Sequence, residues 1–122
     1  MKLVFYFHTV IEVIAGFILL FNPELLLNRN DPNIQSLALS KLYGIAIFAF
    51  GIITYILSKH FVYNQMYKQI ILCIITFHFA VGLHMYGLYH QQVTPYIGAT
   101  ILHLGLAIIF MLIYLRNLKL FL

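Results

Sequence analysis

Charged residues are scarce in this chain. Of its 122 residues, 8% are Asp, Glu, Lys or Arg, whereas 63% are hydrophobic. A soluble domain carries about 25% charged residues, so this chain has too little polar surface to cover a water-soluble globule. The composition therefore predicts an integral membrane protein. A soluble bundle with a very apolar surface is the disfavoured alternative.

Cysteines and acids are also few, and tryptophan is missing. Because Cys73 is the only cysteine, no intrachain disulfide can form, and cysteine-rich metal or redox motifs are excluded. Its place in an apolar stretch indicates a packing role. The acids are Glu12, Glu24 and Asp31. These three acids form no paired-carboxylate pattern in the sequence, so an ordinary soluble-type hydrolase is not expected.

Four long apolar stretches dominate what is present. A membrane-spanning helix needs about 20 apolar residues, and we predict helices at 3–21, 41–58, 69–89 and 96–115. These helices and their connections fill residues 1–122, which predicts a single all-α membrane domain, a four-helix bundle. The second helix can begin early, from Ile34, and Glu24 to Leu27 can lie on the membrane surface. Arg29-Asn30-Asp31-Pro32-Asn33 is a turn signal, and Asn64 to Lys68 is predicted as a short polar turn.

Positive charge differs between the two sides of the predicted bundle. One side has Lys2, Lys59, Lys68, Arg116 and Lys119, and the other has Arg29 and Lys41. The positive-inside rule then places both termini in the cytoplasm. Because these residues sit mostly at helix ends, the net charge of +4 does not indicate nucleic-acid binding.

Glu12 is the one acid inside a predicted helix. A charge at mid-bilayer costs roughly 2.5–3.5 kcal/mol on insertion scales, and burial disfavours the anion. At about 1.5 Å per residue, Glu12 and His78 lie about 13 Å into the membrane, and His103 lies about 18 Å from the cytoplasmic edge. His8 shares a helix face with Glu12, and Tyr86 lies further along the helix that carries His78.

Three interpretations of these polar residues remain open. The first is a hydrogen bond between Glu12 and a histidine that fixes helix register, as in a non-catalytic scaffold or interaction subunit. The second is a ligand site formed by Glu12, His78 and His103, with His8 and Tyr86, for the headgroup of a quinone or lipid. The third is a metal site on Glu12, His78 and His103, or a haem held by His78 and His103.

The ligand site is our leading hypothesis, with the chain as an accessory subunit of a membrane redox system. The partners it predicts are the lipid bilayer and either further copies of the chain or a larger membrane complex. A small transporter is a further alternative. It is weakened because all three prolines lie outside the predicted helix interiors, whereas transporter sites commonly use broken helices.

Two motif pairs indicate an internal repeat. Glu12-x3-Gly16 matches His78-x3-Gly82 at a distance of 66 residues, and Gly44-x6-Gly51 matches Gly98-x6-Gly105 at a distance of 54. The pattern predicts two helical hairpins of similar build, although glycines are common enough in membrane helices to match by chance. Glycines seven apart lie on one helix face and favour close helix packing.

Part of the first half resembles a known family. The run from Gly16 to Leu26, GFILLFNPELL, is followed by Leu42-Tyr43-Gly44 and by Phe50-Gly51-Ile52. Over about residues 10–57 this pattern resembles the small four-helix DoxX-like bacterial membrane proteins. The resemblance implies a four-helix bundle in a bacterial inner membrane, and an association with quinone or thiosulfate oxidation in some members. The missing paired-cysteine motif argues against a thiol-exchange role.

Overall fold

The computed structural model describes residues 2–27, 34–60, 62, 64–94 and 96–118. Over these ranges the regular structure is entirely helical, which confirms the all-α prediction for the described part of the chain. The helices are α1 (Lys2–Phe21), α2 (Glu24–Leu27), α3 (Ile34–Lys59), α4 (Gln65–His90) and α5 (Gly98–Leu118). The predicted turn at residues 29–33 and the basic residue Lys119 lie outside the described residues.

Helices α1, α3, α4 and α5 are long and apolar enough to cross a membrane. The 20 residues of α1 extend about 30 Å, the thickness of a bilayer's hydrocarbon core. Large apolar side chains cover their outward faces, among them Phe7, Ile14, Phe79, Leu83 and Ile101. A helix surface of this kind suits lipid better than water.

The end of α1 follows from Asn22 and Pro23. Proline has no backbone N–H and cannot continue a helix from within. The N–H of Asn22 bonds to the carbonyl of Ile18 at 2.7 Å, and that of Leu25 bonds to the carbonyl of Asn22 at 3.1 Å. These bonds close α1 and lead directly into the short helix α2, so the apolar segment from Glu24 to Leu27 is helical.

Two helices begin earlier than the ranges predicted from the sequence. Helix α3 starts at Ile34, the early start that the sequence allowed, and not at residue 41. Nothing between the two positions breaks a helix, and Ser40 donates to the carbonyl of Ser36 in its own helix. Helix α4 starts at Gln65 instead of residue 69. The Asn64 side chain accepts from the N–H of Tyr67 at 3.1 Å, so the polar residues predicted as a turn form a helix cap and first turn.

Helix α4 runs to His90, one residue beyond its predicted end at residue 89. The N–H of Gln91 caps the helix at the carbonyl of Gly87. Gln92 follows with a φ of 58°, in the left-handed region, and the N–H of Val93 returns to the carbonyl of Leu88 at 2.9 Å. Helix α5 then begins at Gly98, two residues after the predicted start.

The chain divides into two compact units, Met1–Phe61 and Val62–Leu122. In the first, α1 packs antiparallel against α3, and we call this pair hairpin 1. In the second, α4 packs against α5, and we call this pair hairpin 2. Each unit therefore contains one of the two helical hairpins that the sequence predicted. Cys73 is exposed on hairpin 2, so it does not have the packing role that the sequence indicated.

Close helix contact in hairpin 1 depends on glycine. A Cβ on Gly16 would lie 2.8 Å from the backbone nitrogen of Phe48, and one on Gly44 would lie 2.9 Å from the Cβ of Leu19. A Cβ on Gly51 would meet the Val13 side chain at 2.8 Å. The packing role predicted for the glycines of this helix pair is confirmed, since a larger residue would force the helices apart.

The glycines of α5 behave differently. Apart from the adjoining residues and the backbone of the same helix, no heavy atom of the described residues lies within 4 Å of a Cβ built on Gly98 or Gly105. The sequence matched Gly44 and Gly51 with these two residues, but the two pairs of glycines do not play the same part in helix packing, so the match is wrong in this respect. In hairpin 2 the close approach is made by Gly82, whose Cβ would lie 3.3 Å from the backbone nitrogen of Leu104.

A repeat nevertheless relates the two hairpins. The residue-number offset between their second helices, α3 and α5, differs from the one that the sequence indicated. Gly16 approaches Phe48 as Gly82 approaches Leu104, which sets the offset at 66 residues between α1 and α4 and at 56 between α3 and α5. Buried positions obey the same offsets. In the first helices the matching pairs are Phe5 with Ile71, His8 with Ile74, Thr9 with Ile75, Glu12 with His78, and Gly16 with Gly82. In the second helices they are Gly44 with Thr100, Gly51 with Ala107, and Thr54 with Phe110.

Candidate polar sites in the two hairpins

Hairpin 1 contains a buried network of four polar side chains. His8 and Glu12 lie one turn apart on α1, with 0% and 1% exposure, and Thr9 is beside them. Thr54 comes from α3, one turn beyond Gly51, whose missing side chain lets the two helices approach. The i, i+4 spacing on α1 thus places both titratable groups on the face that meets α3.

Thr54 is the centre of this network. Its hydroxyl donates to the carbonyl of Gly51 at 3.0 Å. Its Oγ1 lies 3.0 Å from Oγ1 of Thr9 and 3.2 Å from Nδ1 of His8. A hydroxyl has one proton and two acceptor lone pairs. With this proton directed at Gly51, Thr54 can accept from both the Thr9 hydroxyl and the Nδ1–H tautomer of His8.

The other ring nitrogen of His8 faces Glu12. Nε2 of His8 lies 3.6 Å from Oε1 of Glu12. That separation is within ion-pair range but longer than the 2.7–3.2 Å, approximately, of a direct hydrogen bond. In that tautomer Nε2 is the basic nitrogen, so the imidazole and the carboxyl can share one proton. The edge of the Phe50 ring closes the opposite side of the imidazole, with ring centroids 5.4 Å apart.

Hairpin 2 contains a pair of histidines. His78 on α4 is fully buried and His103 on α5 is partly exposed. Their Nδ1 atoms lie 2.9 Å apart, a hydrogen bond in which one imidazole donates and the other accepts. The rings are tilted by 31° with centroids 5.2 Å apart. The sequence predicted that these two residues meet, and within hairpin 2 they do.

Aromatic rings surround the histidine pair. Phe77 presents its edge to both imidazoles, at 5.2 Å from His78 and 6.4 Å from His103. Phe110 stacks on His78 at 6.4 Å with an angle of 11°. These rings hold the imidazoles in place and keep the surroundings apolar, which strengthens the hydrogen bond between them.

Tyr86 has a different environment from the histidine pair. It is 47% exposed, and its ring packs edge-on against His90 at 5.5 Å. An open cleft lies near the same end of α4, lined by Tyr89, His90, Gln92 and Thr94. The cleft is not lined by the polar residues that the sequence singled out, so we give it no role in their chemistry.

The polar network of hairpin 1 and the histidine pair of hairpin 2 each supply two potential metal ligands. Hairpin 1 offers the His8 imidazole and the Glu12 carboxyl, and hairpin 2 offers His78 and His103. A protein zinc site generally uses three or four ligands. Axial haem ligation by both His78 and His103 does not fit this arrangement, because a porphyrin would have to stand between rings that are hydrogen-bonded directly to each other. The predicted set of Glu12, His78 and His103 draws on both hairpins and stays a prediction.

Sequence reasoning missed Thr9 and Thr54. Both are nearly inaccessible, at 8% and 0% exposure. The available signal was position: Thr54 follows Gly51 by three residues, and Thr9 adjoins His8, so each lies next to a residue already singled out. A threonine hydroxyl in a helix commonly bonds to its own backbone, so the residue type alone does not indicate a contact between helices.

None of the protein-family models, curated proteins or solved structures compared with this chain matches it. The function must therefore be argued from the site itself.

Proposed function

We propose that this chain is a multi-pass protein of a bacterial inner membrane whose buried polar residues bind the headgroup of a small apolar-tailed ligand, such as a quinone or a lipid. Glu12 and His8 supply the exchangeable proton, and His78 and His103 are further partners for ligand oxygens. The DoxX-like resemblance is consistent with such a protein and stays a prediction. An accessory role in a membrane redox system follows from the same hypothesis.

The observation that carries this proposal is the Glu12–His8 pair inside an apolar hairpin. A carboxyl at this depth is costly, and Leu or Ile would pack there without that cost. The 3.6 Å between Nε2 and Oε1 is too long for a direct hydrogen bond. A ligand hydroxyl can donate a hydrogen bond to the imidazole or to the carboxylate, and a ligand carbonyl can accept one from whichever of the two groups holds the proton.

The test is mass spectrometry of what remains bound to the protein. The full chain is purified in mild detergent, and organic extracts are analysed for quinones and lipids in wild type, Glu12→Gln and Glu12→Leu. Glu24→Gln is the matched control, because Glu24 is the other described acid and is exposed. We expect a near-stoichiometric ligand in wild type and in Glu24→Gln, and at least tenfold less in Glu12→Leu with unchanged helix content.

Retention of the same species in all four proteins would refute the ligand site. Elemental analysis of the same samples tests the metal hypothesis. Stoichiometric iron, zinc or copper that disappears in Glu12→Gln and in His78→Ala would replace the organic ligand with a metal. His84→Ala is the control there, because His84 is exposed on the same helix, α4.

A structural role is the second candidate, and the Thr54 network favours it. Thr54 and His8 join α3 to α1 beside the tight Gly51 contact, as expected for a scaffold whose polar residues fix helix register. If Glu12→Leu lowers thermal stability and no ligand is found in wild type, this candidate is correct. The transporter alternative gains no support, since α1, α3, α4 and α5 are each continuous over 20 or more residues.

Topology and assembly need separate tests. We propose that both termini are cytoplasmic, so a C-terminal reporter that is active only outside the cytoplasm should stay inactive. We also propose that the chain forms a homo-oligomer or joins a larger membrane complex. Crosslinking in native membranes that gives only the monomer would contradict that assembly.

A further inference from the structure

Lys59, Tyr6 and Tyr55 form a cluster at one end of hairpin 1, which we call the Lys59 cluster. Nζ of Lys59 lies 5.6 Å from the ring centroid of Tyr6 and 5.3 Å from that of Tyr55. The two tyrosine rings meet edge to face, with centroids 6.0 Å apart. An ammonium within about 6 Å of two aromatic rings is held by cation–π attraction, so this lysine has a defined position.

Two exposed lysines lie at this end of hairpin 1. Lys2 precedes Tyr6 by four residues, so the two share a face of α1, and both Lys2 and Lys59 are exposed. The acids in the described part of hairpin 1 are elsewhere: Glu12 is buried ten residues beyond Lys2, and Glu24 follows the opposite end of α1. No carboxylate among the described residues forms an ion pair with Lys59.

Hairpin 2 shows that helix packing does not require this cluster. The repeat offsets of 66 and 56 residues match Tyr6 with Leu72, Tyr55 with Met111, and Lys59 with Leu115. All three matching residues are apolar and exposed. These three outward positions carry hydrocarbon side chains in hairpin 2, whereas in hairpin 1 they carry an ammonium and two phenols. The difference indicates that the cluster has a function beyond packing.

We propose that the Lys59 cluster binds the phosphate of an anionic phospholipid. The Lys59 ammonium provides the charge and donates hydrogen bonds to phosphate oxygens, with Lys2 adding a second positive charge. The phenol hydroxyls of Tyr6 and Tyr55 are further donors, as tyrosines are at membrane interfaces. The acyl chains would lie against the apolar outer face of hairpin 1, where Phe7 and Ile52 are exposed. This inference rests on the membrane location proposed above and is independent of the ligand site at Glu12.

The experiment is native mass spectrometry of the full chain in nanodiscs that contain equal amounts of phosphatidylglycerol and phosphatidylcholine. We compare wild type with Lys59→Gln, Lys59→Arg and Tyr55→Leu. Lys41→Gln is the matched control, because Lys41 is also an exposed lysine of α3. We expect wild type and Lys41→Gln to retain phosphatidylglycerol preferentially. We expect about a fivefold loss of that preference in Lys59→Gln, the effect of about one lysine charge near an anionic surface.

Lys59→Arg should keep the preference, because it keeps both the charge and the cation–π contact, and Tyr55→Leu should lose part of it. Equal losses in Lys41→Gln and Lys59→Gln would overturn the proposal, since net charge alone would then explain binding. Adding millimolar inorganic phosphate separates the lipid from a free anion: displacement of the lipid by phosphate would mean that the cluster binds any phosphate. A protein that does not sediment with membranes would refute the membrane location, whereas a membrane protein without headgroup preference would refute only this inference.

Discussion

His78 and His103 are joined through their Nδ1 atoms at 2.9 Å, so their two imidazoles cannot be in the same neutral form. A neutral imidazole has one protonated nitrogen. The donor has its proton on Nδ1 and a basic Nε2, whereas the acceptor has its proton on Nε2. The two Nε2 atoms of the pair therefore differ in character, one being a basic nitrogen and the other an N–H group.

This asymmetry can be measured by nitrogen-15 NMR of the protein in micelles. We expect His78 and His103 to show opposite tautomers in wild type. His103→Leu removes the Nδ1 partner and should change the ring-nitrogen shifts of His78. His84→Leu, at an exposed position of α4, should leave both residues unchanged. Identical tautomers in wild type would show that the hydrogen bond is not formed.

Replacement of Thr54 by valine tests the network in hairpin 1. Valine has nearly the shape of threonine but cannot accept from His8 and Thr9. We expect Thr54→Val to lower the free energy of unfolding by about 0.6–2 kcal/mol, the range for polar contacts between membrane helices. Thr76→Val is the control, because the Thr76 hydroxyl is exposed and bonds to its own helix at Leu72. Equal effects in the two variants, measured by thermal unfolding in detergent, would assign no special role to Thr54.

The sequence predicted the helices well because their signal is local. Runs of about 20 apolar residues mark them, and proline or asparagine marks several of their ends. The same locality explains the early starts of α3 and α4. Ser36 and Ser40 look polar enough for a connection, yet the hydroxyl of Ser40 bonds within the helix, and Asn64 caps α4 one residue before it begins.

The candidate site could be predicted only in part. Spacing of four residues was enough to place His8 beside Glu12. The partner Thr54 depends on which face of α3 meets α1, and a sequence does not fix that rotation. For the same reason the glycines of α5 were matched with those of α3 by spacing alone, at 54 residues, whereas the contacts of Gly16 and Gly82 give 56.

Alanine substitutions compare a glycine at the tight helix contact of hairpin 1 with a glycine at an open position of α5. In Gly16→Ala the new methyl would lie 2.8 Å from the backbone nitrogen of Phe48. Unlike a side-chain atom, this nitrogen cannot rotate away. We expect a loss of about 1–3 kcal/mol, as for other overpacked sites. Gly105→Ala adds its methyl where, apart from the adjoining residues and the backbone of α5 itself, no heavy atom of the described residues lies within 4 Å. Alanine has the higher helix propensity, by about 1 kcal/mol, so Gly105→Ala should be neutral or stabilising. Thermal unfolding of both variants in the same detergent decides the matter: similar losses at the two positions would mean that α5 packs through Gly105 after all.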